Sequence, residues 1–213
     1  MTAEQIRFDL VIVHEYLSNA IHEEEEDIHL ENYLSSYEEL NKFFNLMGAV
    51  FGFVSKDLKS KIDILIDLQK QNESNFKTVK KMMEYEKNNN LLYKNGYTSG
   101  SRTLLRLHRA LDFIRLFLKS VGELSNEDST ASVCRQAYDN TLAKHHPFLI
   151  RKGAQVAMYT MPTRQDLLRK VCGNDDEHIQ NTINILPKTL EVSAVVHQRI
   201  ENLYTLHSLH NLP

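Results

Sequence analysis

The sequence SRTLLRLHRALDFIRLFLKSV at residues 101–121 decides the fold class, because it has the pattern of one long helix. Apolar residues recur within it at three- and four-residue spacings, and no glycine or proline interrupts it. Its second part, residues 113–118, is apolar on more than one face, which is typical of a helix buried on both sides. The stretch therefore predicts a helix inside a two-layer, all-α fold.

The chain before this helix has the same helical character. Only 7 glycines and 4 prolines occur among 213 residues, too few breakers for a protein of many short strands. Apolar spacing predicts four earlier helices, over residues 8–21, 30–47, 50–70 and 75–92. Because no segment shows sustained alternation of apolar and polar residues, we predict an all-α, two-layer helical sandwich of about eight helices. Residues 1–213 are expected to form a single domain.

Boundary signals divide the second half of the chain. Residues 125–128 and 163–166 resemble capping boxes that open helices. Pro147 and Pro162 each mark a helix boundary or a first helical turn. The last segment, residues 175–209, is predicted to be mostly helical. Pro187 lies inside that segment, and we expect it to kink or interrupt the helix.

Charge and composition exclude several classes of protein. A net charge of -3 provides no basic excess for broad nucleic-acid binding. The two cysteines, Cys134 and Cys172, lack metal-site spacing and are expected to be free thiols in a reducing compartment. The first residues do not form a signal peptide, and the acidic run 23–27 is predicted to be a solvated loop. The longest mostly apolar stretch, residues 43–54, is shorter than the about 20 residues that span a bilayer. We therefore expect a soluble, cytosolic protein that meets membranes from outside.

Motifs of the common enzyme classes are absent from the sequence. There is no Walker loop, no dinucleotide-binding glycine pattern, no nucleophile elbow and no zincin motif. Two histidine pairs, His145 with His146 and His207 with His210, have no convincing third metal ligand nearby. We therefore predict no catalytic residue, no metal and no cofactor.

Two charged pairs have the spacing of neighbours on a helix face. Arg102 and Arg106 are four residues apart, and their repulsion would be relieved by a bound anion. Such a pair is more often part of a solvated basic face, so by itself it leaves both interpretations open. Asp57 and Lys61 have the same spacing and, taken alone, indicate an ordinary surface ion pair.

Three separate segments together resemble one protein family. Residues 50–61, VFGFVSKDLKSK, are similar to the second-helix signature of the glycolipid transfer protein family. Residues 104–111, LLRLHRAL, resemble its recognition helix, and residues 137–148, AYDNTLAKHHPF, resemble its Ala-Tyr…His segment. Their order, spacing and apolar flanks agree, and the similarity covers nearly the whole chain.

The resemblance implies a fold and a binding site. The family fold is a two-layer α-sandwich that encloses a hydrophobic chamber for ceramide chains. Asp57 stands where the family binds the sphingoid amide N–H, and His146 stands where it binds the acyl amide oxygen. An amide needs both partners once water is excluded, because it presents one donor and one acceptor.

The headgroup positions distinguish branches of the family. Members that carry sugars have Asn at the position of Lys61 and Trp at the position of Arg106. This chain has cations there, and Arg102 lies one helical turn before Arg106. A phosphomonoester carries a charge of about -1.5 to -2 and three acceptor oxygens. Lys61, Arg102 and Arg106 match the ceramide-1-phosphate branch, and the role of Arg109 on the same helix is left open.

The resemblance implies intermembrane transfer of ceramide-1-phosphate by a monomer that makes transient peripheral contact with membranes and does not bind nucleic acid. Golgi, trans-Golgi, endosomal, plasma and nuclear membranes are the expected locations. A lipid-binding sensor or presenter of the same fold is the alternative. An enzyme that uses Asp57 and His146 on sphingolipid phosphates is a third, which no activated nucleophile supports.

Three further expectations concern the chamber and the membrane. Leu10 lies in a segment that resembles the family's gate helix. Residues 148–152, FLIRK, place apolar groups beside cations, as a membrane-docking segment does, although a helix start packed on the core has the same pattern. The chamber is expected to draw on Phe44, Phe51, Phe53, Leu118, Val156 and Val171.

Overall fold

The computed structural model describes residues 7–22 and 26–213, and its regular secondary structure there is helical. Residues 1–6 and 23–25, and with them the start of the chain and most of the acidic run, lie outside the described residues. The described residues form nine α-helices, slightly more than the predicted number: α1 (Leu10–Ala20), α2 (Leu30–Leu46), α3 (Gly52–Gln71), α4 (Val79–Asn88), α5 (Gly100–Gly122), α6 (Ala131–Asn140), α7 (Phe148–Tyr159), α8 (Arg164–Cys172) and α9 (Asp176–His207). Two short 3-10 turns, Ala49–Phe51 and Ala143–His145, precede α3 and α7.

Helix α5 is packed on several sides, as its sequence predicts. It contacts α3, α4, α6 and α9, and the side chains of Leu104, Leu107 and Leu111 are buried. Within the apolar part of the helix, the rings of Phe113 and Phe117 stack with their centroids 6.0 Å apart. Contacts between helices run in a closed circuit, from α1 to α2, α3, α5, α9 and back to α1. Helix α6 packs on α5, and α7 packs on α6. The all-α prediction is confirmed.

Helix starts show which local signals are reliable. Thr163 caps α8 as predicted, because its hydroxyl accepts from the Asp166 N–H at 3.2 Å. The predicted capping box at residues 125–128 is wrong. The Asp128 carboxylate accepts from the Ser125 N–H at 2.7 Å, and the Asp128 N–H donates to the Ser125 carbonyl, which closes a turn. Helix α6 begins only at Ala131, because residues 129 and 130 are bonded to the segment before α8.

Three further predictions need correction. Helix α9 runs through Pro187 over 32 residues, so the expected interruption is wrong, while the expected kink stays a prediction. Asp27, at the end of the acidic run, is buried rather than solvated, and its carboxylate accepts from the backbone N–H groups of Ile28 and Lys80 at 2.7 and 3.0 Å. Helix α4 is also shorter than expected, because Thr78 caps its start. In the described ranges, none of the helices is both long and apolar enough to cross a membrane.

Candidate functional site

A cavity of about 630 Å³ lies among α3, α5, α6 and α7. Its lining is mainly apolar, and it includes Phe44, Phe51 and Phe53 as expected. Leu118, Val156 and Val171 are not among the lining residues, so that half of the expectation is wrong. Val156 is 65 % exposed, whereas Val171 is buried elsewhere, because the position of a residue around its helix is set by tertiary packing. Leu10 is buried in the core and does not line this cavity.

The five residues singled out from the sequence all line this cavity. Helix α3 contributes two of them, α5 contributes two, and the segment before α7 contributes the last: Asp57, Lys61, Arg102, Arg106 and His146. Segments separated by up to 89 positions along the chain are therefore brought to one place. The polar part of the lining reaches solvent, because the side chain of Asp57 is 67 % exposed and that of Arg106 is also exposed.

Asp57 and Lys61 form an ion pair on α3. The Lys61 Nζ donates to Asp57 Oδ1 at 2.5 Å, and the side chain of Lys61 is much less exposed than that of Asp57. One carboxylate oxygen of Asp57 is therefore engaged by Lys61, and Oδ2 remains available to accept from another donor.

Three of the four arginines of α5 form a cationic group without Asp or Glu partners. In the described part of the chain, Arg102, Arg106 and Arg109 lie more than 4.0 Å from every Asp and Glu oxygen. The Arg102 Nε is buried and lacks a hydrogen-bond partner there. Burial lowers the pKa of Arg109, and the neighbouring charge of Arg106 lowers it further. Unsatisfied donors and mutual repulsion in one group favour an anion at this position.

The last residues of the chain lie against these arginines. The Nη2 atom of Arg106 donates to the carbonyl of Pro213 at 3.1 Å, and Nη2 of Arg109 donates to the carbonyl of His210 at 2.9 Å. Leu212 and Pro213 line the cavity. The sequence alone does not reveal the role of this segment, because backbone acceptors leave no signal in side-chain type.

His146 is held by Tyr138, a residue of the segment 137–148 for which the sequence predicts no role of its own. Its Nδ1 lies 2.9 Å from the hydroxyl of Tyr138. Burial raises the pKa of Tyr138, so the phenol stays protonated and is able to donate to Nδ1. Burial also lowers the pKa of His146, which keeps the imidazole neutral. With Nδ1 accepting, the proton lies on Nε2, and His146 is left with a donor for a ligand.

An exposed apolar patch with cations begins at the start of α7. We call Phe148, Leu149, Arg151 and Lys152 the α7 patch. Phe148 is 62 % exposed and Leu149 is 81 % exposed, so these residues do not pack on the core. The Lys152 Nζ lies 5.6 Å from the centroid of the Phe148 ring. Ile150, between them, is partly exposed and also lines the cavity, so the patch adjoins it.

Groups that could hold a metal are absent from residues 7–22 and 26–213, since no three His, Cys, Asp or Glu side chains cluster there. His145 lines the cavity beside His146, and His210 bonds through Nε2 to the Thr205 hydroxyl at 3.0 Å. Cys134 also lines the cavity, where burial raises the pKa of its thiol to about 12, so it stays neutral and apolar.

Known proteins resemble this chain in sequence and in fold. The ceramide-1-phosphate transfer protein of Danio rerio is 40 % identical over 195 residues, which cover 89 % of this chain and 91 % of that protein. The Homo sapiens protein of that name is 33 % identical and covers 90 % of each chain. The crystal structure of the human protein in complex with 12:0 ceramide-1-phosphate matches with a TM-score of 0.84 at 31 % identity, over 97 % of this chain and 100 % of that one. The mouse apo-form matches with a TM-score of 0.88 at 30 % identity, with the same coverage.

The family model for glycolipid transfer protein matches residues 28–173. This range contains all three segments whose similarity was recognised in the sequence, and it covers more than half of the chain. The predicted membership is therefore confirmed, and the chain belongs to the glycolipid transfer protein family.

Proposed function

We propose that this protein transfers ceramide-1-phosphate between membranes. The observation that carries the proposal is a group of arginines without Asp or Glu partners, which lines a mainly apolar cavity of about 630 Å³ together with Lys61. Relatives called ceramide-1-phosphate transfer proteins align with about nine tenths of the chain, and one of them has been crystallised with that lipid. These relatives favour transfer over a sensor or presenter role.

The phosphate binds to Lys61, Arg102 and Arg106 in this proposal. A phosphomonoester brings about two negative charges and three acceptor oxygens. Arginine provides a planar fork of donors, whereas lysine provides a compact charge. A phosphate oxygen next to Arg102 also supplies the partner that its buried Nε lacks. Arg109 lines the same cavity and adds positive charge.

The ceramide amide binds to Asp57 and His146. The unengaged Oδ2 of Asp57 accepts the amide N–H, and Nε2–H of His146 donates to the amide oxygen. Both side chains line the cavity beside the cations, as a lipid whose amide lies near its phosphate requires. The ion pair between Asp57 and Lys61 links the residue that accepts the amide N–H to a residue that binds the phosphate.

The apolar lining removes the main barrier to transfer. Two chains of about 15 methylenes each would cost on the order of 24 kcal/mol to expose to water, at about 0.8 kcal/mol per methylene. Phenylalanine and aliphatic side chains of the cavity replace the bilayer as surroundings for these chains. The protein therefore lowers the free energy of carrying the lipid through water.

The α7 patch provides peripheral contact with the membrane. Its exposed Phe148 and Leu149 enter the interface, while Arg151 and Lys152 meet anionic headgroups. We place this contact on the cytosolic faces of Golgi, endosomal, plasma or nuclear membranes, as the family resemblance suggests. We also take the protein to be a monomer of one domain. We propose that it is not an enzyme, because Asp57 is ion-paired and His146 is bonded to a phenol rather than to a nucleophile.

The test is transfer of fluorescent lipids between vesicles. Wild-type protein should move ceramide-1-phosphate and leave glucosylceramide in place, and Arg106→Leu should abolish the movement. Arg169→Leu is the matched control, because Arg169 is an exposed arginine on α8 that does not line the cavity. Equal transfer of the sugar lipid, or a silent Arg106→Leu, would refute the ligand assignment. Release of inorganic phosphate from the lipid would identify an enzyme instead.

A further inference from the structure

Glu86 of α4 is a fully buried carboxylate whose partners lie at the start of α5. It is 0 % exposed, and it accepts four hydrogen bonds. Its Oε1 accepts from the Tyr97 hydroxyl at 2.9 Å and from the Gly100 N–H at 2.6 Å. Its Oε2 accepts from the Ser99 hydroxyl at 2.7 Å and from the Ser101 N–H at 2.8 Å. No Lys or Arg of the described residues lies within ion-pair distance of it.

These bonds satisfy the first backbone donors of α5. Gly100 and Ser101 are the first two residues of the helix, and the third N–H, of Arg102, donates to the Ser99 hydroxyl at 3.2 Å. The first N–H groups of a helix have no partner inside the helix, and burying them without one costs free energy. Glu86 therefore fixes the first turn of α5 against α4.

The same turn carries the cations of the proposed phosphate site. Arg102 follows Ser101 directly, and Arg106 lies one turn later, so two positive side chains sit near the positive end of the helix dipole. That placement is unfavourable for the helix, and a negative charge at its N-terminus offsets it. The fixed carboxylate also occupies N–H groups that would otherwise attract a phosphate directly. An incoming phosphate is thereby left to the arginine and lysine side chains.

We infer that Glu86 is a positioning residue for the phosphate site, and this inference rests on the proposed function. It does not touch the lipid. It holds the first turn of α5 so that Arg102 and Arg106 face the cavity with Lys61. Neutralising Glu86 should have opposite effects on anion binding, depending on whether its charge or its hold on α5 dominates. Removing a negative charge near an anion site strengthens anion binding by charge alone, whereas loosening the turn that carries the arginines weakens it.

The experiment compares Glu86→Gln with Glu84→Gln. Glutamine keeps the shape of Glu86 but turns an amide NH₂ toward backbone donors. Glu84 is on the same helix and undergoes the same change of charge, but it does not bond to α5. Binding of short-chain ceramide-1-phosphate and of the short-chain ceramide without phosphate is measured by calorimetry on folded protein.

We expect Glu86→Gln to weaken binding of the phosphorylated lipid about tenfold and to change binding of the plain ceramide less than twofold. Glu84→Gln should leave the binding of both lipids unchanged. Unchanged or tighter binding of the phosphorylated lipid would overturn the inference, and so would equal losses for both lipids. If Glu86→Gln does not fold, Ser99→Ala replaces it. This substitution removes one donor to Glu86 and the hydroxyl that accepts from the Arg102 N–H. It must weaken binding of the phosphorylated lipid selectively, and a silent result overturns the inference. A wild-type protein that binds both lipids equally would instead refute the proposed function.

Discussion

The hydroxyl of Tyr138 lies 2.9 Å from Nδ1 of His146, and both side chains line the cavity. Tyr138 is on α6, whereas His146 follows the 3-10 turn before α7, so the bond ties a loop residue to a helix. The bond orients the ring, and when the phenol is the donor it selects the tautomer with the proton on Nε2. Second partners of this kind commonly decide what a histidine presents to its ligand.

Replacing Tyr138 by Phe should slow ceramide-1-phosphate transfer roughly fivefold, since the lost hydrogen bond is worth about 1 kcal/mol. The ring packing is kept, so the thermal midpoint should fall by only about 2–4 °C, the shift that about 1 kcal/mol produces in a chain of this size. Vesicle-to-vesicle transfer rates give the measurement, and Tyr93→Phe is the control, because Tyr93 is exposed and outside the cavity. A rate equal to wild type would show that Tyr138 does not orient His146 for the lipid.

Two lysines on α3 offer a matched comparison. Lys61 pairs with Asp57 at the cavity, and Lys59 pairs with Asp63 away from it, each across four residues of the same helix. Lys61→Ala should reduce ceramide-1-phosphate transfer about tenfold, which corresponds to about 1.4 kcal/mol. Lys59→Ala should have no effect on transfer. Equal effects of the two substitutions would contradict a phosphate role for Lys61.

Local patterns in the sequence predicted local structure, but not all of them. The Thr163 cap was predictable because its partner is three residues away. The box at Ser125 had the same residue types, but there the backbone carbonyl of Ser125, rather than its hydroxyl, accepts from Asp128. Asp27 was expected to be solvated because its neighbours in sequence are acidic. Its buried position depends on backbone donors of Ile28 and of Lys80, 53 residues away, which no local pattern contains.

The site could be predicted only in part for a related reason. Residue identity and family resemblance located the five side chains that line the cavity. The contact from Arg106 to the Pro213 carbonyl joins positions 107 apart and involves a backbone acceptor. The lining of the chamber was half predicted, because a phenylalanine such as Phe51 and a valine such as Val171 are equally apolar, and only tertiary packing decides which one faces the cavity.

The α7 patch should anchor the protein to anionic vesicles. Leu149→Asp should weaken vesicle binding and slow transfer by about tenfold, because an exposed leucine that enters the interface is replaced by a charge that anionic lipid repels. Sedimentation with vesicles containing phosphatidylserine provides the measurement. Leu206→Asp is the control, since Leu206 is also a largely exposed leucine, at 70 %, and lies on α9 outside the patch. Because the chain contains no tryptophan, Phe148→Trp gives a single probe whose emission should shift to the blue on binding.

His197 of α9 should make the protein less stable in mild acid. Burial, and after it the ring of His108, stacked with a centroid distance of 4.3 Å, lower the pKa of His197 to about 4; the other charged groups near it are Asp112, Arg115 and Glu201. The unfolded chain takes up this proton below its ordinary pKa of about 6.5, whereas the folded protein resists it. The stabilisation is therefore complete above about pH 6.5 and is lost as the pH falls toward 4.

Urea unfolding at pH 7 and pH 5 measures this effect. For a partly exposed ring the loss between the two values should be about 1 kcal/mol. His197→Gln should lower the free energy of unfolding at both pH values, because the ring stacking is lost. Because it also removes the titrating group, it should reduce the difference between the two pH values by about 1 kcal/mol. A variant that keeps the full wild-type difference would show that the acid sensitivity arises from other groups.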